Sequence, residues 1–233
     1  MPEPPASPPV SPPVPAPRSW SELLRRALAE ADWPVAEGAL RRLLEGNPAD
    51  PHQLDLLAYV LLMQGRFGAC EATLEKVLAA GGRSFWTPHK LGDARRGRQR
   101  FEAAAVAYEQ ALAWGSDSPL TVRNLLEVLV ALNPATALER LQQLAAADQP
   151  GWQEGACAAA ASGLAPQLAD WLCEQGVADA TVKALVCQQR LARLDLAGTQ
   201  ALLQDLDTPW AAPLRDRLTQ WQAFSRALPP ALP

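Results

Sequence analysis

The sequence repeats itself at a fixed interval. The step from Trp33 to Phe67 is the step from Phe67 to Phe101, and the same step links Ala36, Cys70 and Ala104. Leu40, Leu74 and Tyr108 form a third column, and Leu43, Val77 and Ala111 a fourth. Earlier in each unit, Leu23, Leu57, Leu91 and Leu125 share one register, followed by Leu24, Ala58, Gly92 and Leu126. Within each unit the apolar residues recur three and four apart, the spacing of a helix with one buried face. A supersecondary unit of this length cannot bury its apolar face alone, so units must stack on one another. The period therefore points away from a single closed core and towards an elongated array.

Local signals divide each unit into two helices. Ser19-Trp20-Ser21-Glu22 has the form of a capping box, in which a hydroxyl and a carboxylate three residues later satisfy free N–H groups. Trp20, Leu23, Leu24, Ala27 and Leu28 follow at helical spacing, and Trp20 and Trp33 fall at positions expected to be core. A break at Glu30-Ala31-Asp32 precedes a second helix, with Pro34 in its first turn, where a missing N–H does no harm. Gly46-Asn47-Pro48 stops that helix. Small residues at Ala36, Cys70 and Ala104 let the two helices of a hairpin approach closely. Larger ones at Leu40, Leu74 and Tyr108 fill the space between neighbouring hairpins.

These residues resemble the tetratricopeptide repeat (TPR), whose pattern W-x2-L-G-x2-Y…A-x3-F…P runs over about 34 residues. Trp20, Leu23, Ala36, Leu40 and Pro48 match in the first unit, and Leu91, Gly92, Ala104, Tyr108 and Ala111 in the third. There are departures. Leu24 and Leu126 replace a small residue, Pro88 stands where an aromatic is expected, and Arg95 stands where a large apolar residue should pack. The fourth unit is one residue short near Asn133-Pro134. The resemblance implies an all-α fold, a right-handed α-solenoid of stacked helix-turn-helix hairpins.

The expected organisation has four parts. Residues 1–17 hold nine prolines and form a disordered or polyproline II tail, because proline fixes φ and removes the backbone donor. This tail is read as a linker or a processing remnant. Its P-x-x-P spacings also suit docking on an aromatic groove of a partner. Residues 18–148 form four TPR-type hairpins. Residues 149–228 form degenerate TPR-like hairpins, over 152–162 with 164–175 and over 179–193 with 196–206, closed by a capping helix over 213–227. In the second of these pairs Leu196, Thr199, Leu203 and Leu206 carry the spacing. Residues 229–233 are a disordered end.

Several function classes are excluded or disfavoured. The net charge is −4, which argues against coating nucleic acid or an anionic membrane. No segment is long and apolar enough for a membrane span, and no secretory signal is apparent, so a cytoplasmic location is expected. The four cysteines form no C-x-x-C pair, and with two histidines they offer no metal-site spacing. Each sits in a helical pattern and reads as a reduced, structural thiol, although four could form two disulfides in a secreted chain. No G-x-G-x-x-G, phosphate loop or G-x-S-x-G is present. No catalytic, metal or cofactor residues are expected, and the chain reads as a non-enzyme. The basic run Arg95, Arg96, Arg98 and Arg100 has two readings: a patch for an anionic partner, or a solvated helix end complementing the dipole. The second is preferred, because no interleaved aromatics extend the run.

The resemblance also places a concave groove on the first helix of each hairpin. Carried onto this sequence, its positions give Arg25, His52, Asp55, Tyr59, Leu62, Trp86, His89, Asp93, Arg96, Arg123 and Glu127, with Leu120 in the same count. His52 and His89 read as surface or groove histidines. Aromatic residues mixed with Arg and Asp suit a recognition surface. A related subfamily clamps chaperone C-terminal carboxylates with Lys and Asn. Asp55 and Asp93 depart from that clamp, so no such binding is expected. The function implied is a non-catalytic protein–protein interaction scaffold or assembly factor, holding a peptide or helix of another protein in the groove. The alternative is an accessory protein of a secretion, cell-envelope or glycosyl- or methyl-transferase system. No cofactor, nucleic acid or membrane insertion is expected.

Overall fold

A computed structural model describes residues 19–204 and 208–227. The proline-rich segment 1–17, Leu206 and residues 229–233 lie outside the described residues. The chain folds as successive antiparallel helix pairs. These are α1 (Trp20–Ala29) with α2 (Trp33–Gly46), α3 (Pro51–Met63) with α4 (Phe67–Ala79), α5 (Trp86–Gly97) with α6 (Phe101–Ala113), and α7 (Pro119–Leu132) with α8 (Pro134–Ala146). Then come α9 (Trp152–Ala160) with α10 (Pro166–Glu174), α11 (Ala180–Ala192) with α12 (Leu196–Gln204), and a last helix, α13 (Ala211–Ala227). Among the described residues every regular element is a helix.

The helix starts follow from side-chain chemistry. Ser19 Oγ accepts the Glu22 N–H, and the Asp32 and Asp50 carboxylates accept N–H groups at the starts of α2 and α3. Asn133 alone joins α7 to α8: it ends one helix, and its side chain accepts the Ala135 N–H of the next. That single residue is where the fourth unit loses one position. The turns keep the period too. Ala31, Gly65 and Gln99, each one repeat after the last, take a left-handed φ inside their hairpins. Gly81 and Gly115 do so between hairpins at the same interval, and Asp148 follows one position early, reflecting the shortened unit.

The periodic columns are the core. Ala36, Cys70 and Ala104 have no accessible surface, nor do Leu40, Leu74 and Tyr108. Burial pushes the Cys70 thiol up to about 12, so it behaves as a small apolar group. Each hairpin rests on the next through its second helix (α2 on α3, α4 on α5, α6 on α7, α8 on α9, α10 on α11 and α12 on α13), and from α3 onward the first helices also meet: α3 on α5, α5 on α7, α7 on α9, α9 on α11 and α11 on α13. Repeating this contact turns one apolar stripe per helix into a continuous core.

Two expectations are corrected. Trp20 is half exposed, because among the described residues no hairpin precedes α1 to cover it. The arginine run lies at the end of α5 and its turn, with Arg98 and Arg100 about half exposed, but it is not simply solvated. Arg95, Arg98 and Arg100 converge on the Glu71 carboxylate at 3.0, 2.5 and 3.0 Å, and that side chain is only 8 % exposed. Burial alone would raise the Glu71 carboxyl; hydrogen bonds from Arg95 and Arg98 and the charges around it outweigh this and hold it below its ordinary range. Arg95 thus fills its apolar-type position by pairing across to α4. The arrangement repeats: Glu37 binds Arg66 at 2.7 Å, one period before Glu71 and Arg100.

Candidate functional site

The first helices α3, α5 and α7 lie side by side and share a cavity of about 340 Å³. Tyr59, Leu62 and Met63 of α3, Trp86, His89, Lys90 and Asp93 of α5, and Leu120 of α7 line it. Its rim is apolar and open to solvent. Tyr59 is 37 % exposed, Met63 47 %, Trp86 40 % and Leu120 50 %. Large apolar side chains left on the surface together, beside a cavity, are unusual in a chain with no use for them. The aromatic groups hold one another in place. Tyr59 meets Trp33 edge-on at 5.9 Å, and Trp86 meets His89 at 5.2 Å.

The floor is polar and satisfied from within. Lys90 pairs with Asp55, whose carboxylate also accepts the Thr87 hydroxyl at 3.2 Å. Asp93 accepts the Tyr108 hydroxyl at 2.6 Å and the Asn124 amide at 2.9 Å, and faces His89 Nε2 at 3.4 Å. Arg96 donates to Glu127 at 2.8 Å, and Arg123 to the same carboxylate at 2.7 Å. Of these charged groups Lys90 and Asp93 line the cavity, and with those behind and beside them three acids (Asp55, Asp93, Glu127) face three bases (Lys90, Arg96, Arg123).

His89 is a groove histidine, buried in the cavity wall and not on the open surface. Its Nδ1 lies 2.9 Å from Thr121 Oγ1, which in turn contacts Ser116 Oγ at 2.8 Å. Burial is the largest influence on the ring and holds its pKa below the ordinary value, against the opposing pull of Asp93. The Tyr108 phenol is pushed far up by burial and by the Asp93 charge, so it remains a donor. These groups are locked as a bridge from α5 to α6 and α7. None is presented to the cavity as a free acid, base or nucleophile.

Of the eleven groove residues expected from the sequence, the cavity gathers Tyr59, Leu62, Trp86, His89 and Asp93. Arg96, Arg123 and Glu127 form one ion cluster on α5 and α7, and Asp55 is spent on Lys90. Arg25 and His52 are exposed on α1 and α3 and do not reach the cavity. Met63 and Lys90 were not among the expected residues. Met63 sits one turn beyond Tyr59 on the same helix stripe, a signal the sequence does contain. Among the described residues, no cluster of three or more His, Cys, Asp or Glu is placed to hold a metal ion. No helix among them is long and apolar enough to cross a membrane.

No protein-family model matches the sequence, and no curated protein matches it. Solved structures do. A tetratricopeptide repeat protein from Parabacteroides merdae aligns over 90 % of this chain and 89 % of its own, at 14 % identity and a TM-score of 0.54. PilF of Pseudomonas aeruginosa aligns over 88 % of this chain and 96 % of its own, at 19 % identity and a TM-score of 0.53. At these identities the likeness is one of backbone architecture: the chain has the helical-repeat fold of the tetratricopeptide type.

Proposed function

Starting from a tetratricopeptide-type stack, we propose that this chain is a non-catalytic interaction scaffold that grips an apolar segment of another protein between α3, α5 and α7. One observation carries the reading: an exposed apolar rim of Tyr59, Met63, Trp86 and Leu120 surrounds a cavity whose ionic floor is already paired. A rim of this kind gains from desolvation on contact. A floor with its charges matched internally asks for no charged ligand and offers no reactive group. Expected ligands therefore bring aliphatic, aromatic or prolyl side chains, not an acidic tail. The Lys and Asn that a carboxylate clamp would use, Lys90 and Asn124, are held by Asp55 and Asp93.

The test is partner capture by the wild type and by a Tyr59→Ala/Trp86→Ala variant, with co-purifying proteins identified by mass spectrometry. Each truncated aromatic at the centre of such a contact removes about 2 kcal/mol of binding, or roughly thirtyfold in affinity. The double variant is expected to lose its partners while its helical circular dichroism stays close to wild type; a modestly lower melting midpoint is expected from the lost ring contacts with Trp33 and His89. Retention of every partner would refute the groove assignment.

A further inference from the structure

The turns that follow α3 and α5 carry arginines held by a single nitrogen. Arg66, between α3 and α4, donates through Nη1 to Glu37 at 2.7 Å and to the Gln64 side-chain oxygen at 3.2 Å. Between α5 and α6, Arg98 and Arg100 donate to Glu71, again through Nη1, at 2.5 and 3.0 Å. All three side chains are about half exposed. A guanidinium holds five N–H donors in a planar fork. Among the described contacts the Nε and Nη2 edge of each of these three is unengaged. That edge can meet a carboxylate with two parallel hydrogen bonds. Arg41 and Arg95 differ. Arg41 gives Nε and Nη2 to Glu37, and Arg95 gives Nε to Glu71 and Nη1 to the Ala103 carbonyl.

The two turns adjoin. Gly97, one residue before Arg98, lies against the ring of Phe67, one residue after Arg66: a Cβ there would meet Cε1 at 2.6 Å. Stacked helices lie about 8–10 Å apart, so the step from one turn to the next is of that order. Charge does not balance along this edge. Five arginines (Arg41, Arg66, Arg95, Arg98, Arg100) surround two largely buried carboxylates (Glu37, Glu71), an excess of three positive charges, or two when Glu102 in the first turn of α6 is counted. The chain as a whole carries −4. Local preference is also overridden. Arg66 and Arg100 hold the N-cap positions of α4 and α6 without capping them, where Asp32 caps α2 one period earlier. A cation there opposes the helix dipole. Pairing with Glu37 and Glu71 accounts for one nitrogen of each, not for the open edge.

We propose that the edge formed by Arg66, Arg98 and Arg100 docks an acidic segment of a partner protein, with its carboxylates seated on the open forks. An extended peptide rises about 3.3 Å per residue, so acidic residues about three apart match the step between the turns. Nucleic acid suits the edge less well. The basic stretch spans two neighbouring turns, the acidic balance of the chain repels a polyanion, and the aromatics beside the arginines, Phe67 and Phe101, are partly covered and offer little for a base to stack on. This surface is separate from the groove and does not rest on it.

The test is fluorescence anisotropy of the full chain with a short fluorescein-labelled Gly/Ser peptide carrying Glu at every third position, against the same peptide carrying Gln. The Glu peptide is expected to bind saturably at about 50 mM NaCl and about tenfold more weakly at about 300 mM, with the Gln peptide at least about tenfold weaker throughout. Arg98→Gln/Arg100→Gln should weaken the Glu peptide by about tenfold, and Arg66→Gln by about threefold. Arg98→Lys/Arg100→Lys keeps the charges but not the forks, and should also weaken it by about threefold. Arg42→Gln and Tyr59→Ala/Trp86→Ala should leave it unchanged. Melting curves confirm that each variant is folded; should the double Gln variant melt early, Arg66→Gln and the Lys pair decide. No saturable binding, equal affinity for the Gln peptide, or wild-type affinity in the arginine variants overturns the proposal. So does loss of binding in Tyr59→Ala/Trp86→Ala, which would seat the peptide in the groove. Displacement of the peptide by a lower concentration of a single-stranded oligonucleotide also overturns it, because the edge would then be a nucleic-acid surface. Partner capture by the groove is read separately and stands or falls without this result.

Discussion

Gly92 sits in the middle of α5 with its backbone against the ring of Tyr108. A Cβ added there would lie 2.5 Å from Cε1, 2.7 Å from Cδ1 and 2.8 Å from Cζ. Helix propensity alone says Gly92→Ala should stabilise, by about 1 kcal/mol. Packing says the opposite. The ring has no accessible surface, and its hydroxyl is tied to Asp93 at 2.6 Å, so it cannot swing aside without breaking that bond. Overpacking of a dense core costs about 1–3 kcal/mol, and losing a hydrogen bond to a charged group about 1.5–3 kcal/mol. The packing side wins, with a net loss of about 3 kcal/mol. For a chain of this length that lowers the thermal midpoint by about 6–12 °C. The decisive control is the background. In a Tyr108→Leu chain the ring is gone, and Gly92→Ala should become stabilising by about 1 kcal/mol. Calorimetric or circular dichroism melts of the four chains read this inversion. If Gly92→Ala raises the midpoint in both backgrounds, the ring is not confined as described, and the account of how α5 meets α6 fails.

The cluster at Glu71 gives a second expectation. Glu71→Gln removes the charge that holds Arg95, Arg98 and Arg100 together, and should cost about 2–3 kcal/mol in urea unfolding. An unchanged midpoint would show that the three arginines gain nothing from converging. Acid titration gives a third, in two stages. His89 is held below its ordinary 6.5, so the unfolded chain binds its proton first, and stability falls as pH drops below about 6.5. Glu71 is held below its ordinary 4.5, so its contribution is complete above that value and is lost as pH falls further through the native value. His89→Asn should remove the upper stage and spare the lower one; a persisting upper stage would place it in another group.

The stack was legible in the sequence because its cause is periodic. The columns Ala36/Cys70/Ala104 and Leu40/Leu74/Tyr108 report the same packing environment once per hairpin, and burial follows them directly. The shortened fourth unit was visible at Asn133-Pro134 for the same reason. That Tyr59, Trp86 and Leu120 face outward was legible because facing outward on a first helix is a matter of register alone. The charges were not. Arg95, Arg98 and Arg100 read as a solvated helix end, and His89 as a surface or groove histidine with no partner assigned, because nothing in a one-dimensional pattern says which neighbouring hairpin will bring a carboxylate or a hydroxyl to them. The recurrence of Glu37 and Glu71 with Arg66 and Arg100 was the available clue.

The sequence by itself determined the helices, their pairing and the length of the unit, since local capping and a regular apolar rhythm act within one hairpin or between adjacent ones. Only the tertiary structure decided which polar groups are spent and which stay available. That depends on hydrogen-bond distances across separate hairpins, where burial makes an unmatched charge too costly to leave, and so leaves the open apolar rim as the surface with something still to gain.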